Sequence, residues 1–550
     1  MTNPAHVRNE QVVMFTSPSE IQRPISDSAG QAVPLSLCMI VRDNASTLRP
    51  CLTSIRPWVD EMIVVDTGSH DDTPAIAQEL GARVFHFPWC DDFAAARNES
   101  LRHARGRWLF WMDSDDTIDA ENGHQLRCLA CGPHPTGVLA YVMQVHCPAA
   151  DDGTGRGLTV VDHVKMFRNH VGVRFEFRIH EQVLPSIRRL GGDVAWTDIF
   201  VVHSGADHTA EGRQRKYERD FRILGLELKD KPDHPFVLFN LGMTHADMGD
   251  HDRAVEYLER CLRCSHPDES HVRKAHSLLV ASLAARGRLD EAWQACCEGR
   301  KTFPVDPELL FRQGMAAHAL GRLEEAEHAY RGALADREER HFSSVDPGIR
   351  GHKARHNLAL VYEELLRHDL AEAQWREAVA EAPGFCSGQR SLGENLIRQG
   401  KYSSAAVHIE GMLAEPGLRA AAQVLEARLA ETQGDYRAAR SRLEAAVCEF
   451  PNQPEPLQAL CKLLFERGDL TDAERALKTL LEFQPDDAPA HHNLGAVLLQ
   501  TGRHKAAVDS LRRSLELRPD SPSTWKMLAD AFELLGDREG ATQGNRQAER

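Results

Sequence analysis

From residue 35 onward, short apolar runs alternate with longer amphipathic stretches, and the runs at 35–41, 62–66, 83–87 and 108–113 have the length of strands. Strands separated by helix-like segments predict a mostly parallel sheet with helices on its faces. After about residue 137 the texture becomes strand-rich, with LAYVMQVHC, HVKMFRN, FEFRIHEQV and VAWTDIFVVHSG as further strands. A polar stretch from Thr209 to Lys231 reads as a helical connector. Ahead of these elements, residues 1–33 mix Pro, Ser, Gln and Asn without a period and read as a disordered leader.

The second half repeats. Turn positions fall at Gly249, Gly287, Gly321, Leu366, Gly400, Gly434, Gly468, Gly502 and Gly536, and an alanine follows each by five residues, from Ala254 to Ala541. From Leu366 the spacing is 34 residues every time, and Pro304, Pro383, Pro451, Pro485 and Pro519 stand 17 residues beyond their turns. Gly permits the turn between two helices, Ala lets the second helix pack closely, and Pro ends it. Seven residues before the turns the side chain is small or short, as at Gly242, Gly314, Gly393 and Gly495. A period of 34 with these residues resembles the tetratricopeptide repeat, which implies helical hairpins stacked into a solenoid. The irregular spacings, 38 residues after Gly249 and 45 after Gly321, predict insertions, the second looped at 340–351.

Length and charge narrow the function classes. A chain of 550 residues exceeds one hydrophobic core, and its net charge of −16 argues against a nucleic-acid partner, whose phosphates call for Lys and Arg. Thirteen cysteines without a framework suggest reduced thiols and a cytoplasmic setting. No apolar stretch reaches 18 residues, so no transmembrane segment is expected. Cys128 with Cys131, and Cys261 with Cys264, have zinc-like spacing, but each pair lies within a helical pattern, so helix packing is the better reading.

In open parallel sheets ligands bind beyond the carboxyl ends of the strands. Three of the four early runs end there in polar clusters: Arg42 with Asp43, then Asp66, then Asp113 with Asp115. Asp113, Ser114, Asp115 and Asp116 stand directly behind an apolar strand, and carboxylates gathered there call for a cation; hard divalent metals take such oxygen ligands. Between residues 36 and 116 the segments SLCMIVRDN, EMIVVDTGSHDDT, FPWCDDFAAARNES and WLFWMDSDD follow one another. In that order they resemble the family 2 glycosyltransferases, which have the GT-A nucleotide-sugar fold.

The resemblance covers roughly residues 35–205 and implies roles for particular residues. Asp113 contacts the donor ribose or the metal-bound diphosphate, with Ser114 beside it, and Asp115 coordinates the metal together with His203. Asp66 recognises a uracil-type base, while Asp71 caps the helix that follows. Arg42 and Asp43 match the nucleotide-facing loop, although Asn44 and Ala45 replace the acidic residues common there. Arg97 either approaches the nucleotide from a helix or forms a surface salt bridge. Glu181, in the His-Glu pair, is the candidate general base. Asp116 is a further ligand, a cap or a solvated residue; His180 positions the acceptor or sits in the core; Trp89 lines the donor pocket or packs in the core.

The expected architecture is an α/β GT-A (Rossmann-like) domain at 34–208, a helical connector at 209–235, and an all-α tetratricopeptide-repeat solenoid of about nine repeats at 236–550. The resemblance implies an inverting enzyme with Mn2+ or Mg2+ as cofactor and a UDP-sugar as donor. A protein or peptide recruited by the repeats is the expected acceptor. Two other readings stand beside it: synthesis of a surface polysaccharide or glycolipid, and a non-catalytic scaffold with a vestigial nucleotide-sugar domain.

Overall fold

The structure, a computed structural model, describes residues 33–148, 158–204, 209–335 and 346–549. The leader expected at 1–33 lies outside them apart from Val33, as does the 340–345 part of the expected loop. In chain order the first elements are β1 (Leu35–Val41), α1 (Ala45–Ile55), β2 (Glu61–Asp66), α2 (Thr73–Glu79), β3 (Arg83–His86), α3 (Phe93–His103) and β4 (Trp108–Trp111). They are followed by β5 (Asp116–Thr117), α4 (Ala120–Cys131), β6 (Val138–Pro148), β7 (Leu158–Arg168), α5 (Leu184–Arg189), β8 (Asp193–His203) and α6 (Ala210–Asp230).

The eight strands form one sheet in the order β3-β2-β1-β4-β7-β6-β8-β5. Strands β1 to β4 are parallel, as the alternation of apolar runs and helices requires, and β7 turns the sheet antiparallel against β4 and β6. Side chains alternate across β1, so Leu35, Leu37, Met39 and Val41 pack with Leu48 and Leu52 of α1 and with Trp108 and Phe110. On the opposite face Cys38, Ile63, Leu109 and Trp111 pack with Ala94 of α3 and with Phe175 and Val183. Each fully buried Leu or Phe here contributes roughly 1.5–3 kcal/mol. With both faces covered, the four parallel carboxyl ends are held rigidly along one edge, and the polar residues after β1 and β4 inherit that rigidity.

FEFRIHEQV is not a strand. Residues 171–183 run irregularly, with one isolated bridge between Glu176 and Gln182. Phe177 and His180 take left-handed φ values of 75° and 55°, which break the pleat that its alternation of apolar and polar residues had suggested.

Nine helical hairpins follow among the described residues, from Pro235–Asp247 to Arg538–Ala548. All nine turn positions have left-handed φ, from 58° at Leu366 to 83° at Gly434, so backbone conformation and not space explains the glycines. Space explains the earlier ones: a Cβ on Gly242, Gly314 or Gly495 would lie 2.6 Å from Leu258, Tyr330 or Leu511 of the paired helix. The alanines after the turns are buried, from Ala254 to Ala541. Compact packing divides the described chain into two units, the first ending at Asn357 and holding the sheet with the first three hairpins, the second running from Leu358. All thirteen cysteines are free; Cys261 is buried, whereas Cys128, Cys131 and Cys264 are exposed and so contribute little to packing.

Leu366 is the non-glycine member of the turn series, 77% exposed at φ 58°. A left-handed conformation costs an ordinary residue about 1–2 kcal/mol, part of which a glycine gives back through its greater freedom when unfolded. Leu366→Gly is expected to stabilise the chain by up to about 1 kcal/mol, seen as a higher denaturant midpoint at unchanged slope. An unchanged or lower midpoint would show that the turn is set by something other than φ.

Candidate active site

A cavity of about 980 Å3 opens beyond the carboxyl ends of β1 and β4. Its wall includes Arg42, Thr67, Trp89, Arg97, Asp113, Ser114, Asp115, His180, Glu181 and His203. Nine of the residues given candidate roles from sequence thus meet in one place: Arg42, Trp89, Arg97, Asp113, Ser114, Asp115, His180, Glu181 and His203. Asp43 and Asp66 do not line it.

Arg97 organises the centre. It sits on α3, whose Asp92 cap accepts a hydrogen bond from the Ala95 amide, and its side chain is only 7% exposed. Nη2 donates to Asp113 Oδ1 at 2.6 Å, Nε donates to Glu181 Oε1, and the guanidinium lies 4.3 Å from the Trp111 ring centre. It is a buried bridge between two carboxylates, not a surface salt bridge. Burial alone would favour the neutral form, but the charges of Glu181 and Asp113 outweigh it and hold the guanidinium protonated. Nη1 has no hydrogen-bond partner among the described residues. Asp113 is held below the usual carboxylate range: burial pushes it up, and the Arg97 charge and hydrogen bond, together with the Lys165 charge, outweigh this.

Strand register brings His203 to the carboxylates. β5 pairs antiparallel with β8 so that Asp116 faces His203. Asp116 is fully buried and accepts from Lys165 Nζ at 2.9 Å, from the Asp113 amide at 3.1 Å and, on its other oxygen, from His203 Nδ1 at 2.9 Å. Of the three sequence readings for Asp116, a solvated role is therefore ruled out. Asp115 lies 3.5 Å from His203, and its carboxyl is raised above the usual range by burial and by Asp113 and Asp116. The same cluster raises the His203 imidazole, chiefly through the Asp116 hydrogen bond.

These donors suit a hard divalent cation. Ligand atoms of Asp113, Asp116 and His203 lie within 4.8 Å of one another, and Asp115 adds a carboxylate 3.5 Å from His203. Both oxygens of Asp116 are already engaged, by Lys165 and His203, whereas Arg97 bonds Oδ1 of Asp113 and His203 bonds through Nδ1, which leaves Asp113 Oδ2 and His203 Nε2 beside Asp115.

Glu181 is placed by its irregular segment. Asn98 holds Phe175 on both backbone atoms, the Phe93 amide donates to the Arg178 carbonyl at 2.7 Å, and the Arg178 amide donates to Glu227 of α6 at 2.5 Å. His180 beside it has left-handed φ and a buried Nε2 with no hydrogen-bond partner among the described residues. Beyond the ends of β1 and β2, Asp43 accepts from the His70 amide at 2.6 Å. Asp66 accepts from Ser69 Oγ at 2.5 Å and its amide at 3.1 Å, and pairs with His86 at 3.2 Å. Burial works to raise the Asp66 carboxyl and these hydrogen bonds bring it down. Asp71 bridges two helix starts, accepting from the amides of Ala45 and Thr73 at 3.0 Å each.

Sequence reasoning missed two features. Lys165, 1% exposed, stands 3.8 Å from the Trp111 ring centre; its signal was a single charge inside the apolar run HVKMF. The second is α6, read as a connector, which lines the cavity with Gly212, Arg213, Lys216, Tyr217, Arg219, Asp220 and Arg222, together with Asp247 of the first hairpin. Its basic residues recurring at helical spacing were visible, but not the surface they face.

Comparison with known proteins agrees with this architecture. Residues 36–131 match glycosyl transferase family 2, and tetratricopeptide-repeat models match 237–263, 274–292, 297–340, 430–498 and 488–531. A TPR repeat-containing protein of Synechococcus elongatus is 33% identical over 308 residues, covering 54% of this chain and 71% of that protein. The SPbeta prophage-derived glycosyltransferase SunS of Bacillus subtilis is 24% identical over 274 residues, 48% of this chain and 63% of its own length. An uncharacterized glycosyltransferase of Rickettsia felis is 28% identical over 111 residues, 20% of this chain and 39% of its own. The chain thus spans less than two thirds of each of these two glycosyltransferases. With a family 2 domain at the front, hairpin repeats behind it and a relative of this similarity, the chain belongs to the family 2 glycosyltransferases that carry tetratricopeptide repeats.

Proposed function

We propose that this chain is an inverting, metal-dependent enzyme of the cytoplasm that transfers a sugar from a UDP-sugar to a protein or peptide recruited by its repeats. The catalytic domain is 34–208, the connector 209–235 and the recruiting solenoid 236–550. The observation that carries the reading is the meeting of Asp113, Asp115, His203, Arg97 and Glu181 around one cavity at the sheet's carboxyl edge. Among the described residues no helix is long and apolar enough to cross a membrane.

The uridine side of the donor lies along Arg42 and Thr67 in the cavity wall, with their chain neighbours Asp43 and Asp66, outside that wall, as the proposed base-side groups, and Asp113 and Ser114 meet the ribose and diphosphate. Asp115 and His203, with Asp113, hold Mn2+ or Mg2+. Bound there, the cation supplies Lewis-acid stabilisation of the charge that grows on the leaving diphosphate. Glu181 takes the acceptor's proton as the acceptor oxygen bonds the anomeric carbon and the bond to the diphosphate breaks. Arg97 engages Oε1 of Glu181 and fixes its direction, while no partner among the described residues occupies Oε2. Stacked hairpins offer an extended surface for an acceptor chain, which raises its concentration near the cavity.

Metal and donor binding are tested by thermal melting with UDP, GDP, CDP or TDP, each with and without manganese. UDP with manganese is expected to stabilise the wild type by about 2.7 kcal/mol at a hundredfold excess over its dissociation constant, and Asp115→Ala to remove the response. A response to every diphosphate alike would refute the uridine preference, and one retained in Asp115→Ala would refute the metal assignment.

Glu181→Gln keeps size and hydrogen-bonding capacity but cannot accept the proton. Transfer should fall by roughly 10²–10⁴-fold while the shift with UDP and manganese persists. Wild-type turnover in this variant would remove Glu181 from the role of base.

A further inference from the structure

The helix α6 brings more positive charge to the cavity than the family resemblance accounts for. Four of the cavity's cations are already spoken for: Arg97 by Asp113 and Glu181, Arg219 by Asp220 at 2.7 Å, Arg222 by Asp91, and Arg42, more loosely, by Asp43 at 3.9 Å. Arg213 and Lys216 also line the cavity, and neither has a carboxylate within ion-pair distance among the described residues. They stand three residues apart, on neighbouring positions of one helical face. Two like charges so placed repel each other, and an anion between them removes the penalty.

The helix that carries them is well anchored. Thr209 caps it, accepting from the Gly212 amide at 3.0 Å, six residues after His203. Tyr217 donates to the Asp247 carboxylate at 3.0 Å, and Ile223 and Leu224 are buried against Ile179, Val237 and Leu241. Arg213 and Lys216 thus project from a fixed backbone into the cavity that holds the carboxylate cluster.

We propose that Arg213 and Lys216 bind the diphosphate of the donor and hold it as it leaves. This rests on the nucleotide-sugar reading and deepens it by naming the groups that receive the leaving charge. As the bond from the anomeric carbon to the diphosphate oxygen breaks, its electron pair stays on that oxygen. The acceptor oxygen forms the new bond and its proton passes to Glu181. The guanidinium offers paired donors to phosphate oxygens and the ammonium a compact charge, so the departing anion needs no proton of its own. An anionic group on the acceptor would meet the same chemistry, and nucleotide binding alone separates the two sources.

The test is calorimetric titration of the full-length protein with UDP and with uridine, both in manganese, for the wild type, Arg213→Gln, Lys216→Gln and the double variant. The wild type should bind UDP more tightly than uridine. Each substitution should weaken UDP about tenfold, the double variant more, with uridine unchanged, as expected for loss of a charge-assisted contact to phosphate. Both side chains are exposed, so melting temperatures should not move. If the wild type prefers UDP and the variants bind it equally well, the proposal is overturned while the donor reading stands. If the wild type binds neither compound, the donor reading fails and this proposal with it.

Discussion

One buried guanidinium holds the site together. Arg97 joins helix α3, the turn after β4 and the irregular segment around Glu181, because its charge is stable in the interior only while Asp113 and Glu181 both face it. Trp111 covers its flat face and in turn lies under Lys165, which neutralises Asp116. The carboxylates are thereby arranged before any ligand arrives: Asp113 by Arg97, Asp116 by Lys165 and His203. Among the described residues Asp115 has His203, at 3.5 Å, as its ion-pair partner, which leaves it the least engaged of the three carboxylates. Such prearrangement spares the reaction the cost of reorienting dipoles as charge develops.

The repeats are not an appendage to this arrangement. Ile179, two residues before Glu181, shares a core with Ile223 and Leu224 of α6 and with Val237 and Leu241 of the first hairpin, and Phe177 packs on Phe236. The left-handed backbone at Phe177 and His180 is disfavoured in isolation and persists because this packing determines it. The first hairpin therefore helps to place Glu181 as well as opening the repeat array, and cutting the chain at residue 236 would expose this core.

Much of this was legible in the sequence where a physical demand recurs. Apolar runs gave β1, β2 and β4 because strands buried on both faces need continuous hydrophobic residues, and the repeat period was readable because each turn needs a left-handed residue. The carboxylates were found because Asp113 and Asp115 follow a strand whose end is fixed by the sheet. What escaped depends on contacts distant in sequence. FEFRIHEQV alternates as a strand would, and only the core shared with α6 shows why it bends. Lys165 finds Asp116 across 49 residues. The polarity of α6 announced a helix but not the cavity it faces, and Arg97 read either as a nucleotide-facing group or as half of a surface salt bridge, because its partner Glu181 lies 84 residues away in sequence.

The most direct test of this account is turnover, measured as UDP release from a panel of UDP-sugars with water taking the sugar in place of the acceptor, by the full-length protein with manganese, wild type against Arg97→Met. The substitution keeps an apolar stem over Trp111 and removes the charge that joins the two carboxylates. The account predicts release from at least one donor by the wild type and a loss of roughly 10²-fold or more in a variant that still folds. Equal release by both proteins, or none from any donor by the wild type, would contradict it.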